Sequence, residues 1–435
     1  MTRARARINR WAALIAVLAF AGVAGVQSAG AQEDFPAVDQ PGVTDDQIRV
    51  AALYSDEGDP TNGKNEDAVD GANAYFEYVN ETEGGVYGRE LVVAAEHDDR
   101  LANNRQEVQA ILSQDNVFAV LPVASPLFSG AQLLIEAGVP TFGWHVSEEW
   151  GANENKPGPS NFFGDAGGYY CIDCVKLKPE NFVSKKLGLK NIGVVAFSVP
   201  SSTDCANGIQ KTFDAYPTGE VAFVDTAVPF GTADFSAQVA QMVEADVELV
   251  YPCMDGQTTV VLAREMRKQG LDAIMVAPSL YNAELVEANA EVLEGFYANT
   301  NFTPFETRPK PQGLKLFDKW MNRTNGERNQ NSMVGWINAD LFVEGLKAAG
   351  PNFTQQKVVD AINQMTDYNA KGLLAGVDWT RAHEKDKACY ALVKIVDGEF
   401  ETAFGKPGKP FTCLPSRLKK IPAAAPDGTK PADRY

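Results

Sequence analysis

The chain has 435 residues, 45% of them hydrophobic and 22% charged, a composition that excludes a disordered, collagen-like or small disulfide-scaffold protein and favours two globular domains. Its 39 basic and 57 acidic side chains give a formal charge of -18, which repels phosphate backbones, so nucleic acid is not an expected partner. The charge is uneven: residues 1–31 hold four Arg and no acid, leaving 35 basic side chains against the 57 acidic ones.

That basic head reads Arg3, Arg5, Arg7 and Arg10, an apolar run over 11–26 interrupted by Gly22 and Gly25, then Ala29-Gly30-Ala31. This is the order of a secretory signal peptide, with cleavage expected after Ala31. The apolar run falls short of the roughly 20 residues that a retained membrane span needs. No Cys precedes Cys171, so the run ends without a lipid-attachment site. The expected location is outside the inner membrane, in the periplasm or on the extracellular side, where the six Cys residues can persist as structural bridges. Cys171-x-x-Cys174 lacks the second pair of ligands that a closed zinc site requires, so no metal is expected.

From Gln47 onward short β-branched runs alternate with amphipathic stretches. A strand is predicted over 48–54, then a helix through Ala68, Ala72, Tyr75, Phe76 and Val79 that stops at Asn80 and the Gly84-Gly85 turn. Strand 91–95, helix 106–112, strand 117–121, helix 131–137 and strand 140–142 follow. A second series runs through strand 192–197, helix 206–215, strand 221–225, helix 235–244, strand 249–251, helix 259–269 and strand 273–276. Strands and helices in this alternation build βαβ units and doubly wound, mostly parallel sheets, which bind ligands beyond the carboxyl ends of their strands. Between the two series lies the Gly-rich segment 151–168, and 297–311 is an irregular segment with Pro304, Pro309 and Pro311; both read as crossings between lobes. Helical stretches follow at 314–321, 339–348 and 358–365. Strand 389–396, the Asp397-Gly398 turn and a return over 400–404 read as a hairpin, and the Ala- and Pro-rich end 422–435 as a disordered tail.

Catalytic signatures are missing: there is no G-x-S-x-G elbow, phosphate loop, G-x-G-x-x-G after the first strand or H-E-x-x-H. His97, His145 and His383 are far apart in sequence, and Ser416-x-x-Lys419 lacks its partner motifs. The expectation is a protein that is not an enzyme and carries no cofactor.

An ordered set of motifs points further. Asp70-Gly71-Ala72, Val79-Asn80, Gly84-Gly85-Val86-Tyr87-Gly88-Arg89-Glu90-Leu91, His97-Asp98-Asp99, Asp115 to Val120, Glu136 to Pro140, Asp234-Phe235-Ser236, Arg267 to Leu271 and Asp378-Trp379 succeed one another over about residues 47–404. The chain resembles the type I periplasmic binding proteins, in particular those similar to leucine/isoleucine/valine-binding proteins of ABC importers. The resemblance implies an α/β fold of two doubly wound lobes joined by three crossings. Lobe one would be 47–165 plus 301–378, and lobe two 166–300 plus 379–415. The implied protein is a monomer that captures a small polar solute (amino acid, amide or small organic acid) and delivers it to an ABC-type membrane permease.

By the same resemblance the first-lobe ligand contacts fall on Ala124, Ser125, His145 and Ser147, whose backbone N–H groups and hydroxyls suit a carboxylate. Ser125 and Ser147 can equally be turn residues or caps. Tyr54, Phe128 and Trp144 serve either as core or as pocket wall. The second lobe departs from the family pattern, with Cys205 where amino-acid binders often have Tyr and Ser279 near where they present an acid. Asp255 is the nearest carboxylate, equally suited to cap the helix that follows, and Tyr281 is a further candidate. Branched-chain amino acids are therefore in doubt as ligands. Cys389 and Cys413 flank the terminal hairpin and are expected to pair. Cys205 and Cys253 both follow second-lobe strands, and Cys171 and Cys174 either pair with each other or take a partner in those loops. Two other classes compete: a sensing module that docks on a receptor, and an exported Rossmann-like enzyme.

Overall fold

A parallel strand buried on both faces must be followed by a crossover that returns the chain to the same sheet edge, and helices supply both the return and the cover. The computed structural model describes residues 35–57, 64–152, 156–167, 170–171, 174–175, 177–385, 388–414 and 419–420. The expected signal segment and tail, and the side chains of Cys171 and Cys174, lie outside the described residues. Among the described residues no helix is long and apolar enough to cross a membrane.

The first sheet contains β1 (Gln47–Tyr54), β2 (Glu90–Asp98), β3 (Ala119–Ala124), β4 (Thr141–Gly143) and β5 (Phe162–Gly164), in the order β2-β1-β3-β4-β5 and all parallel. Its early helices are α1 (Asp67–Glu83), α2 (Asn104–Ala110) and α3 (Ala131–Ala137). The predicted stripe of α1 is buried, and the helix ends where Gly84 takes a left-handed φ of 72°. β5 was not predicted. Its three residues lie inside the Gly-rich stretch expected to be irregular, and they form a strand because Phe162 and Phe163 fill the space beside Phe128 and Phe142.

After the first crossing come α4 (Pro179–Leu187), β6 (Asn191–Phe197), α5 (Pro200–Ala215), β7 (Glu220–Val228), α6 (Ser236–Glu244), β8 (Leu249–Cys253), α7 (Gly256–Gln269) and β9 (Ile274–Met275). These strands form the parallel order β7-β6-β8-β9. A parallel bridge from Val276 to Tyr297 brings up β10 (Tyr297–Thr300), a strand where an irregular crossing was expected. The two sheets thus repeat one winding pattern, in which the order reverses between the first and third strands.

The chain then returns to the first sheet with α8 (Gln312–Thr324), α9 (Gln330–Ala349) and α10 (Gln355–Ile362). Trp379 packs edge-on against Phe163, and His383 bonds Asn363, so the chain stays on first-sheet elements through His383 before crossing a third time. It ends on β11 (Cys389–Val396), which pairs antiparallel with β10, with β12 (Glu399–Ala403) across the predicted Asp397-Gly398 turn, and with β13 (Phe411–Cys413).

The seam between α1 and α9 is set by two glycines. A Cβ on Gly71 would lie 1.8 Å from the Ser332 carbonyl oxygen, and one on Gly335 would lie 1.8 Å from that of Ala68. The backbones meet at each glycine, and Tyr75 packs edge-on to Trp336 beside them at 4.9 Å. Gly335→Ala should therefore lower stability by about 3 kcal/mol, against the gain of roughly 1 kcal/mol that Ala gives in an uncrowded helix. Urea denaturation checks this, and an unchanged or higher midpoint would contradict the close crossing.

Candidate functional site

In both sheets the winding reverses beside the first strand, and that is where an open α/β sheet places its ligand crevice. In the first sheet the reversal lies between the ends of β1 and β3, at Ser55 and Ser125. Asp99, fully buried just after β2, draws these loops together. Ser55 Oγ donates to one carboxylate oxygen at 2.6 Å; Ser125 Oγ and Asn104 Nδ2 donate to the other at 2.5 and 2.7 Å. A buried carboxylate needs such donors. Ser125 was expected to bond a ligand oxygen, but its hydroxyl points inward to Asp99. Ala124 is fully buried, and its carbonyl accepts the Ser55 N–H at 3.3 Å. Neither Asp99 nor Asn104 was nominated from sequence, although Asp99 closes the His97-Asp98-Asp99 motif.

The loop after β4 behaves differently. His145 is half-buried, and its Nδ1 lies 2.8 Å from Asp165 Oδ1, at the start of the first crossing. Ser147 Oγ is buried and has no hydrogen-bond partner among the described residues. Trp144 is half-buried, whereas Phe128 is core, packed on Trp150 and Phe162. Tyr54 sits among carboxylates. Burial first, then Glu96, Glu66, Asp98 and Asp56, push its hydroxyl pKa up to about 12, so it stays protonated.

In the second sheet the reversal lies between β6 and β8, and a disulfide spans it. Cys205, in the second turn of α5, is bonded to Cys253 at the end of β8, with a Cα–Cα distance of 6.0 Å. Cys205 is therefore a structural clip and leaves no thiol for a ligand. Asp255 is the N-cap of α7, its Oδ1 accepting the Thr258 N–H at 3.0 Å. Ser279 Oγ, after β9, is buried without a partner among the described residues. Tyr281 was expected to approach a ligand, but it is an anchor of the second crossing. Its hydroxyl donates to Glu306 at 2.8 Å and accepts the Phe305 N–H at 2.7 Å.

The three crossings converge around a cavity of about 310 Å³. His145 and Ala166 line it from the first-crossing side, Asn301 from the second, and Asp378, Arg381 and Lys385 from the approach to the third. Of these, sequence reasoning named only His145 as a ligand contact, with Asp378 appearing only in the Asp378-Trp379 motif. The others lie in stretches without periodicity, and the Arg381 and Lys385 spacing of four was the one readable signal. Cys389 also lines the cavity and is bonded to Cys413, with a Cα–Cα distance of 3.9 Å across the β11–β13 pair.

A family profile described as periplasmic binding protein matches residues 47–399. The chain belongs to the periplasmic binding protein family. Its fold is that of the type I members, with two lobes built on parallel sheets. It is similar in fold to a branched-chain amino acid ABC transporter protein from Thermus thermophilus with bound valine (16% identity, TM-score 0.67, covering 85% of this chain and 97% of the other). It is also similar to a solute-binding protein from R. palustris in complex with benzoate (14%, TM-score 0.65, covering 85% and 98%). A fatty acid ABC transporter substrate-binding protein from Thermomonospora curvata gives 17% identity and a TM-score of 0.64, covering 92% and 97%. No curated protein matches the chain significantly.

After the first crossing, Glu180 on α4 is fully buried, and among the described residues its carboxylate oxygens have no hydrogen-bond partner. Burial pushes its pKa from 4.5 up to about 7, against the pull of Lys178. The native protein then holds a proton that the unfolded chain releases, so stability falls as pH rises from 4.5 to about 7 and levels off above that. His383 works oppositely: burial lowers its pKa from 6.5 to about 4, and stability is lost as pH falls through that window. Glu180→Gln should remove only the first effect. Its stability relative to wild type should climb between pH 5 and 7, by on the order of 3 kcal/mol, and then plateau, as denaturation at each pH would read. A pH-independent offset would show that Glu180 is not protonated in the fold.

The cap gives a second test: Asp255→Ala should lose about 1 kcal/mol, while Asp255→Asn, which also caps, should stay within a few tenths. Equal losses in denaturant midpoint for both would mean that the carboxylate has another role.

Proposed function

We propose that this protein is an exported solute-binding protein that holds a small polar molecule between its lobes and passes it to an ABC-type membrane permease. The observation that carries this reading is the cavity at the meeting of the three crossings, where any relative movement of the lobes reshapes the walls around a bound molecule. Ser147 and Ser279, which do not line this cavity, follow a strand of each sheet and carry buried hydroxyls without a partner among the described residues, at strand ends where doubly wound sheets bind ligands. Each is a buried group that costs about 1–3 kcal/mol while unsatisfied, and a polar ligand could relieve that cost. The family assignment and the valine, benzoate and fatty acid named for three structural relatives bracket the ligand class.

The reading includes removal of residues 1–31 as a signal peptide, a monomeric working form, and no chemical step on the ligand. Lobe one would comprise 47–165 with the returning helices from 301 onward, and lobe two 166–300 with the terminal hairpin. The disulfides fit an oxidising compartment.

A thermal-shift screen of the mature protein against amino acids, amides, and aromatic and aliphatic carboxylic acids tests the reading. A ligand at a hundred times its Kd stabilises the fold by about 2.7 kcal/mol, which moves the melting temperature measurably. A panel that leaves the melting temperature unmoved throughout would count against solute capture.

A further inference from the structure

Arg381 and Lys385 stand four residues apart on one turn, the Lys385 N–H donating to the Arg381 carbonyl at 2.8 Å and the Arg381 N–H to that of Asp378 at 3.1 Å. Residues at this spacing share a face, and both line the cavity of the crossings. Neither forms an ion pair among the described residues, although the chain carries 57 acidic side chains against 39 basic ones. Some cations elsewhere are paired, as Arg323 is with Glu81 at 2.5 Å and Lys347 with Glu83 at 2.6 Å. Among the described lining residues the one carboxylate is that of Asp378, which already accepts the Thr380 hydroxyl at 2.5 Å. On the facing wall, His145 is held by Asp165. Among the described lining residues Arg381 and Lys385 thus stand against one carboxylate, Asp378, and Leu374 and Val377 give the cavity an apolar side.

We propose that Arg381 and Lys385 make this cavity selective for a small organic carboxylate, with the anionic head between the two cations and an apolar body against Leu374 and Val377. This rests on the solute-binding reading and names its ligand class. The guanidinium of Arg381 can take both carboxylate oxygens on its planar fork, and Lys385 adds a point charge beside it. A neutral isostere of the same shape would leave both cations without a counter-charge, so discrimination follows from the charge and not from the fit of the apolar body. The same fork would accept phosphate, which brings charge without an apolar body.

Calorimetry on the mature full-length protein separates these cases with benzoate, hexanoate, benzamide, hexanamide and inorganic phosphate. Benzoate or hexanoate is expected to bind at least tenfold more tightly than its amide and than phosphate. An Arg381→Gln/Lys385→Gln double variant should lose at least tenfold of that carboxylate affinity. Both side chains reach solvent, so its melting temperature without ligand should match wild type, and Arg381→Lys should recover part of the loss. Equal binding of acid and amide, phosphate binding as tight as carboxylate, or unchanged carboxylate affinity in the double variant would overturn the proposal. A solute from the broader screen that binds wild type and double variant equally would overturn it too, while leaving solute capture standing. The absence of any binding solute would remove both.

Discussion

A carboxylate with no access to water organises the strand-end edge of the first sheet. Asp99 cannot be hydrated where it sits, so the fold must bring it donors, and those donors come from three different segments: Ser55 after β1, Asn104 at the start of α2 and Ser125 after β3. Asn104 then uses its carbonyl oxygen to receive the Gly130 N–H at 2.8 Å, just ahead of α3. One buried carboxylate thus fixes the relative positions of three loops. This also explains why the reversal point of the first sheet is a rigid wall, while the more open part of the site lies beside β4 and the crossings.

The second lobe solves the corresponding problem covalently. The Cys205–Cys253 bridge closes a span of 48 residues and ties α5 to the end of β8; Cys389–Cys413 closes 24 and ties β11 to β13 beside the cavity. Each cross-link narrows the unfolded ensemble, by about 3–4 kcal/mol in the chain-entropy picture. The pairing of Cys389 with Cys413 was legible because the hairpin around Asp397-Gly398 follows from strand alternation and turn chemistry.

Legibility in the sequence follows the range of the interaction responsible. The stripe of α1, the stop at Gly84 and the alternation of both sheets are local, and they read correctly. β5 and β10 did not, because each is short and owes its existence to a neighbour: Phe163 to Phe142 and Trp379, Tyr297 to Val276. The site residues divide the same way. The capping alternative for Asp255 was legible because a cap acts within three residues. The bonds of Ser125 to Asp99 and of Tyr281 to Glu306 could not be read from the sequence, because those partners lie 26 and 25 residues away. Lys385 and Arg381 belong to a stretch whose position follows from Trp379 and His383 docking on Phe163, a contact that no spacing rule announces.

The carboxylates around Tyr54 acquire a meaning from where they stand. Asp56, Glu66, Glu96 and Asp98 gather at the β2-β1 end of the first sheet, whereas Arg381 and Lys385 stand by the crossings, toward the β4-β5 end. The edge of the lobe therefore differs along its length, with an acidic cluster at one end and, at the other, two cations interspersed with Asp165 and Asp378. A charged molecule near such an edge meets a different field at its two ends. Salt in the surrounding medium, with a screening length of about 8–10 Å near physiological strength, would blunt that difference before it weakened any contact made on arrival.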